Sequence, residues 1–313
     1  MEKKLEIVFL DAATVGDSSL DPIRECGHLV TWPTSTPEEA LARVRDCNVL
    51  IINKIAVNQK LIDAAPHLQL ICEAATGVNN IDLDYAASKG IPVKNVAAYS
   101  TDSVVQVTFM MMLALAGQLR HFDSTVKSKA YSRSGIFTDV TVPYMELAGK
   151  TIGIIGMGNI GHKVADVASA LGMKVVYYST SGTGHCTDFP CLGIRELLEQ
   201  SDVVSIHAPL NDRTRGLLGA EELGYMKKTA FLLNMGRGGI VDEAALAAAV
   251  DAGEIAGAGL DVFVQEPLPE EHPLLRMQHP ERVVLTPHIG WASAEARERL
   301  IAAIGKNIAS TFA

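Results

Sequence analysis

Tryptophan occurs twice in the 313 residues, aromatic residues make up 5%, and cysteine occurs five times. None of Cys26, Cys47, Cys72, Cys186 and Cys191 forms a Cys-x-x-Cys pair, so neither a disulfide framework nor a thiolate zinc site is suggested, and a reducing, cytoplasmic setting is expected. Basic residues are scarce too: 27 Lys and Arg against 36 Asp and Glu give a formal charge of −9. A surface of that sign repels phosphate backbones, which argues against nucleic acid as a partner. Long apolar runs are missing. The richest, residues 107–117, is interrupted by Thr108 and is about half the ~20 residues of a bilayer span, so no membrane is expected. Lys3 and Lys4 precede an apolar run, but Asp11 ends it short of a ~7–15 residue signal-peptide core. The histidines show no His-Glu-x-x-His or similar spacing, so no metal is indicated.

What is present is a core. With 48% hydrophobic and 20% charged residues, the chain is expected to be globular, and at ~150 residues per domain its length suggests two domains. Residues 7–10, 49–52, 70–72 and 91–93 read as strands, separated by helical stretches such as 37–45 and 58–65. The alternation restarts after Lys150, with strands expected over 151–155, 174–178, 203–207, 230–234, 257–261 and 283–285. Strand and helix taking turns means a parallel α/β fold. Residues 101–119 read as a buried connecting helix, with Phe109 and Met110, Met111 and Met112 as core rather than as a cofactor box. Residues 121–144 show no clear periodicity, and are either an arm against another subunit or a long surface excursion. Residues 293–311 suit a last helix with Ser293 as its N-cap.

Gly156-Met157-Gly158-Asn159-Ile160-Gly161 is a Gly-x-Gly-x-x-Gly that directly follows an apolar strand and opens a helical run. That context, followed by the next strand, is the βαβ frame of a dinucleotide site. Gly156 permits the tight turn, Gly158 the approach of a pyrophosphate and Gly161 close helix–strand packing, with the diphosphate at the N-terminus of the helix. An NAD site ordinarily places Asp or Glu about 20 residues on, to hold the ribose 2′-hydroxyl. Here Ser179 stands, followed by Thr180-Ser181-Gly182, with neither a carboxylate to repel a 2′-phosphate nor a nearby arginine to clamp one. The cofactor is therefore NAD(H) or NADP(H), with both left open.

Three further stretches fall at expected carboxyl ends of strands, where open α/β sheets place their sites: Asn234-Met235-Gly236-Arg237-Gly238-Gly239, residues 261–267 with Asp261 and Glu266, and Thr286-Pro287-His288-Ile289-Gly290. A glycine-flanked arginine can bind a small carboxylate bidentately, and a carboxylate beside an imidazole keeps it protonated and oriented. Each residue has a plainer alternative: Arg237 bracing a strand end, His288 in a proline-anchored loop, Glu266 as a solvated acid. At one sheet edge together they favour chemistry. His207 reads as structural.

With residues 75–82, 99–104, 146–151 and 205–210, these strings resemble the D-isomer-specific 2-hydroxyacid dehydrogenases over almost the whole chain. Asn53-Lys54, residues 143–151 and residues 288–292 are most similar to the glycerate dehydrogenase and hydroxypyruvate reductase branch. The resemblance implies two doubly wound, Rossmann-like parallel-sheet domains with a cleft between them: a discontinuous substrate domain over 1–100 plus 287–313, and an NAD(P)-binding domain over 101–286. It further implies that Arg237 binds the substrate carboxylate and polarises the keto oxygen, His288 is the general acid in reduction, and Glu266 supports it. Gly77 and Val78 would give backbone N–H groups to the carboxylate, with Lys54, Tyr99 and Trp291 as pocket candidates. Asp261 would hold the nicotinamide carboxamide, while Pro209 and Thr214, with Gly156, Gly158, Asn159, Ile160, Gly161 and Ser179, would bind cofactor. The expected reaction is reduction of hydroxypyruvate or glyoxylate by a homodimer. Alternatives are a D-lactate-type or branched-chain 2-ketoacid reductase and, more remotely, a dinucleotide-sensing corepressor.

Overall fold

In a computed structural model, residues 4–184 and 186–313 are described. The chain forms two compact units, one of Met1–Ser100 with Ala292–Ala313 and one of Thr101–Trp291. The return crossing thus falls after Trp291 rather than after the expected residue 286. The physical reason is a set of bonds from Ile289 N and Gly290 N to Asp261, which keep that turn with the second unit.

The first unit is built on strands β1 (Leu5–Phe9), β2 (Gly27–Thr31), β3 (Val49–Ile52), β4 (Leu70–Glu73) and β5 (Val93–Lys94). All pairings are parallel, in the order β2-β1-β3-β4-β5. Every residue of β3 and β4 is buried, which is why both read as uninterrupted apolar runs. β2 was not expected. As an edge strand its residues are half-buried or exposed, so no continuous apolar run marks it. The helix Ala294–Thr311 starts where Ser293 Oγ accepts the Ala296 N–H at 3.2 Å, and it buries Leu300, Ile301, Ile304 and Ile308. That stripe at helical spacing closes one face of the sheet, each such side chain contributing about 1.5–3 kcal/mol.

The second unit holds β6 (Thr151–Ile155), β7 (Lys174–Tyr178), β8 (Val203–Ile206), β9 (Phe231–Asn234), β10 (Gly257–Leu260) and β11 (Val283–Leu285). They pair in parallel in the order β11-β10-β9-β8-β6-β7. The strand order reverses beside β6, and ligands in open α/β sheets bind outside the carboxyl ends at such a switch point. Alternate residues feed opposite cores. Ile152, Ile154 and Leu233 pack with Met111 and Met112 of the helix Thr101–Ala116, whereas Ile155, Val204 and Leu232 pack with Leu246 and Val250. Met110 is not core: it is 45% exposed, as is its neighbour one turn on, Leu113, at 50%.

Residues 121–144 are more regular than their sequence suggested. Helices Leu119–Lys127 and Ala130–Ser134 occupy most of the first half, entered through Gln118 and Lys129 in left-handed conformations. Neither buries a residue in its own unit, so no core imposed a legible period on the segment. Among the described residues no single helix is long and apolar enough to cross a membrane, and no cluster of three metal-ligating side chains occurs.

Candidate active site

The carboxyl edge of the second sheet carries the glycine loop. Gly156 has φ +95°, and a Cβ there would lie 2.9 Å from the Ala208 nitrogen, so only glycine lets β6 turn this close to β8. A Cβ on Gly161 would meet the Gly156 carbonyl oxygen at 2.2 Å, whereas one on Gly158 would meet nothing within 4 Å. The helix Asn159–Ala170 that follows has no side chain capping its N-terminus, so its first backbone N–H groups have no side-chain acceptor. Beside the loop, His207 bonds Ser205 Oγ through Nε2 at 2.8 Å, while its buried Nδ1 lacks a partner. Burial pushes this imidazole down to about 3, so it is neutral near physiological pH, in keeping with a structural part rather than proton transfer. Open space, uncapped donors and an orphaned buried nitrogen together fit a bound dinucleotide.

Three adjacent strands bring the catalytic candidates to one edge. Arg237 follows β9, and its turn is set by buried Asn234, whose Oδ1 accepts the Gly236 N–H at 3.0 Å and whose Nδ2 donates to the Arg237 carbonyl at 3.0 Å. A Cβ on Gly238 would lie 2.0 Å from the Phe263 carbonyl carbon and oxygen, so the arginine turn and the chain leaving β10 touch backbone to backbone. Glu266, after β10, accepts the Phe263 N–H on Oε1 at 3.0 Å and meets His288 Nδ1 with Oε2 at 2.7 Å. The pair is only 21% and 32% exposed. His288, after β11, has φ +54°, a left-handed conformation costly for a residue with a Cβ and kept only where neighbours enforce it. Asp261 is the enforcer: its carboxylate accepts Thr286 Oγ1 at 2.5 Å, Ile289 N at 2.8 Å and Gly290 N at 2.6 Å. Burial raises its pKa against these bonds. Glu243 accepts Val264 N at 2.8 Å and meets His272 Nε2 at 2.9 Å. Neither Glu243 nor the clamping part of Asp261 was read from the sequence, since both act across long separations.

The substrate-binding candidates divide between the units. Lys54, Gly77, Val78 and Tyr99 belong to the first, and Arg237 and Trp291 to the second. Lys54 is exposed on a segment held from both sides. Asp11, buried after β1, accepts the N–H groups of Asn53, Lys54 and Ile55 at 3.0, 2.6 and 3.2 Å. Asn80 donates from Nδ2 to the Ile55 carbonyl at 3.0 Å and to Glu73 Oε2 at 3.1 Å. Asn80 lies in the same loop as Gly77 and Val78, so the loop after β4 and the Lys54 segment are tied together. Burial pushes the Glu73 carboxyl up to about 8. Tyr99 is buried, and its carbonyl accepts Arg299 Nε at 2.9 Å.

The cofactor-side candidates after β8 pin their own loop. Thr214 is fully buried and donates to the Pro209 carbonyl at 2.7 Å, so its hydroxyl shapes the turn. One expectation is corrected: an arginine does reach the turn after β7. Arg213, beside Thr214, donates from Nη1 to the Ser181 carbonyl, a contact that sequence separation hid.

Known proteins resemble this chain over nearly its whole length. Residues 109–290 match the family described as D-isomer specific 2-hydroxyacid dehydrogenase, NAD binding domain. The glycerate dehydrogenase of Methylorubrum extorquens is 36% identical over 315 residues, covering 98% of this chain and 96% of that protein. Among solved structures, the NADPH-dependent glyoxylate/hydroxypyruvate reductase of Sinorhizobium meliloti, in complex with NADP and malonate, is 26% identical with a TM-score of 0.82, covering 99% and 94% of the two chains. D-lactate dehydrogenase from Aquifex aeolicus, complexed with NAD and lactic acid, is 28% identical with a TM-score of 0.84, covering 97% and 94%. The chain therefore belongs to the D-isomer-specific 2-hydroxyacid dehydrogenase family.

Proposed function

We propose that this protein is an NAD(P)H-dependent reductase of small 2-keto acids, hydroxypyruvate and glyoxylate foremost, giving D-glycerate and glycolate. The observation that carries the reading is the His288–Glu266 pair, Nδ1 to Oε2 at 2.7 Å, on the same strand edge as Arg237. A bound nicotinamide supplies the hydride. The side chains do the rest. As hydride reaches the 2-carbon, the carbonyl electron pair moves to oxygen, and the nascent alkoxide needs a cation and a proton. Arg237 grips the substrate carboxylate with its planar fork and polarises the keto oxygen. His288 delivers the proton from Nε2, while Glu266 on Nδ1 fixes the ring and stabilises the imidazolium. In oxidation the same Nε2 starts neutral and takes the hydroxyl proton.

Gly77 and Val78 supply backbone donors to the carboxylate, and Lys54, Tyr99 and Trp291 shape the pocket for the substituent. Asp261 already accepts three hydrogen bonds, and a carboxylate has about four acceptor sites, which leaves room for the nicotinamide carboxamide. The exposed apolar residues Met110, Leu113, Ile136, Phe137, Val140 and Tyr144 lie along one stretch of chain and support a homodimer built on the second unit. The five unpaired cysteines suit a reducing, cytoplasmic setting.

The test is loss of reduced-nicotinamide absorbance with hydroxypyruvate, glyoxylate, pyruvate and 2-ketoisocaproate. Turnover should be highest with the first two and vanish in Arg237→Ala and His288→Ala. Tight dinucleotide binding without reduction of any keto acid would overturn the reading.

A further inference from the structure

We propose that Arg213 and the turn formed by residues 179–183 seat the 2′-phosphate of the dinucleotide, making NADPH the preferred reductant. The inference rests on the dinucleotide-binding reading of the glycine loop and adds a choice between two cofactors.

The position is set by strand register. Gly156 N donates to the Tyr178 carbonyl at 3.1 Å, so Ser179 emerges from β7 directly beside the glycine loop. In a dinucleotide fold that is where the adenosine ribose lies and where an acid would hold its 2′-hydroxyl. Ser179 does not serve that purpose with a charge. Its hydroxyl donates to the Thr183 carbonyl at 2.5 Å and lies 3.0 Å from Ser181 Oγ. With Gly182 at φ +88°, residues 179–183 close into a compact turn.

A cation is delivered to that turn from the loop after β8. Arg213 donates from Nη1 to the Ser181 carbonyl, and a Cβ on Gly182 would lie 2.9 Å from the same nitrogen, so the guanidinium rests against the turn. Its backbone is fixed as well: Arg213 N donates to Asn211 Oδ1 at 2.9 Å, and adjacent Thr214 holds the loop through Pro209. A guanidinium has five N–H donors, and one bond to a carbonyl leaves its charge uncompensated. Among the described residues no carboxylate lies within ion-pair distance of Arg213. In a chain of net charge −9, a fixed arginine without an acid partner, beside the ribose position and next to serine hydroxyls, matches a phosphate dianion.

Binding of adenosine 2′,5′-bisphosphate and adenosine 5′-monophosphate, which differ by the 2′-phosphate alone, is measured by calorimetry alongside NADPH and NADH. The wild type should bind the 2′-phosphorylated member of each pair at least about tenfold more tightly, the ratio expected for a charge-assisted contact. Arg213→Gln should erase most of that ratio, lowering NADPH affinity far more than NADH affinity. Ser179→Asp should invert it, since a carboxylate repels the phosphate and accepts the 2′-hydroxyl. Equal affinities within each wild-type pair, or equal weakening of NADH and NADPH by Arg213→Gln, would overturn the proposal while leaving the dinucleotide reading intact. Failure of all four ligands to bind would overturn the dinucleotide reading and this proposal with it.

Discussion

The Oδ2 atom of Asp261 accepts the backbone N–H of Gly290 at 2.6 Å. That bond, with those from Ile289 and Thr286, keeps His288 at a positive φ and so directs its ring toward Glu266. An amide in place of the carboxylate would turn a donor toward an N–H and lose at least one of the three bonds. Asp261→Asn is expected to lower kcat by about tenfold or more, roughly 1.4 kcal/mol, with a smaller change in the KM for keto acid. Steady-state kinetics check this; an unchanged kcat would mean that the turn holds its shape without the clamp.

The His288–Glu266 pair gives opposite pH dependences in the two directions. Reduction needs the imidazolium and should weaken as pH rises, whereas oxidation needs the neutral ring and should strengthen. His288→Ala should cost on the order of 10²–10⁴ in reduction. Glu266→Gln, which keeps a hydrogen-bonding partner on Nδ1 but removes the charge, should cost less than His288→Ala. A wild-type reduction rate that climbs steadily from acid to alkaline pH would be incompatible with the proposed proton donor.

Glu73 sets a pH dependence of stability. Its carboxyl stands near 8 in the folded protein, against about 4.3 in an unfolded chain. Between those values the unfolded chain is ionised while the folded one holds the proton, so stability falls as pH rises from about 4.3 to 8 and levels off above. The groups facing it are Asn80, Asp11 and Lys54. Glu73→Gln keeps an acceptor for Asn80 and cannot ionise. Relative to the wild type, it should gain on the order of a few kcal/mol over that interval. Melting temperature against pH is the measurement, and parallel curves for the two proteins would contradict the buried, protonated acid.

Two glycines should separate folding from binding. Gly158→Ala adds a methyl to open space at an ordinary φ of −88°, so its stability should stay within about 1 kcal/mol of the wild type. Its dinucleotide affinity should nevertheless fall at least about tenfold, because the methyl occupies the place of the pyrophosphate. Gly238→Ala drives a Cβ into the Phe263 carbonyl and should destabilise by more than about 3 kcal/mol, separating Arg237 from the Glu266 turn. Thermal melts with and without NADH distinguish the two cases.

Much of this molecule is local in its cause. β3, β4, β8 and β9 are legible because strands buried on both faces must be continuously apolar. The glycine loop is legible because the tight turn and phosphate approach demand glycine at fixed spacing within a strand–turn–helix frame. Edge strand β2 and the helices Leu119–Lys127 and Ala130–Ser134 were not, since elements without a buried face carry no period imposed by a core.

The α/β class, the glycine loop and the candidacy of Arg237, Glu266 and His288 follow from the chain alone, because each rests on residue type within a short window or on a family-wide string. How those residues are held depends on distant segments folding onto one another. Asp261 gripping the His288 turn, Asp11 and Asn80 fixing the Lys54 segment, and Arg213 meeting Ser181 all join residues far apart in the chain. Such partners are chosen by which strand ends the sheet order places side by side, and no local pattern encodes that order.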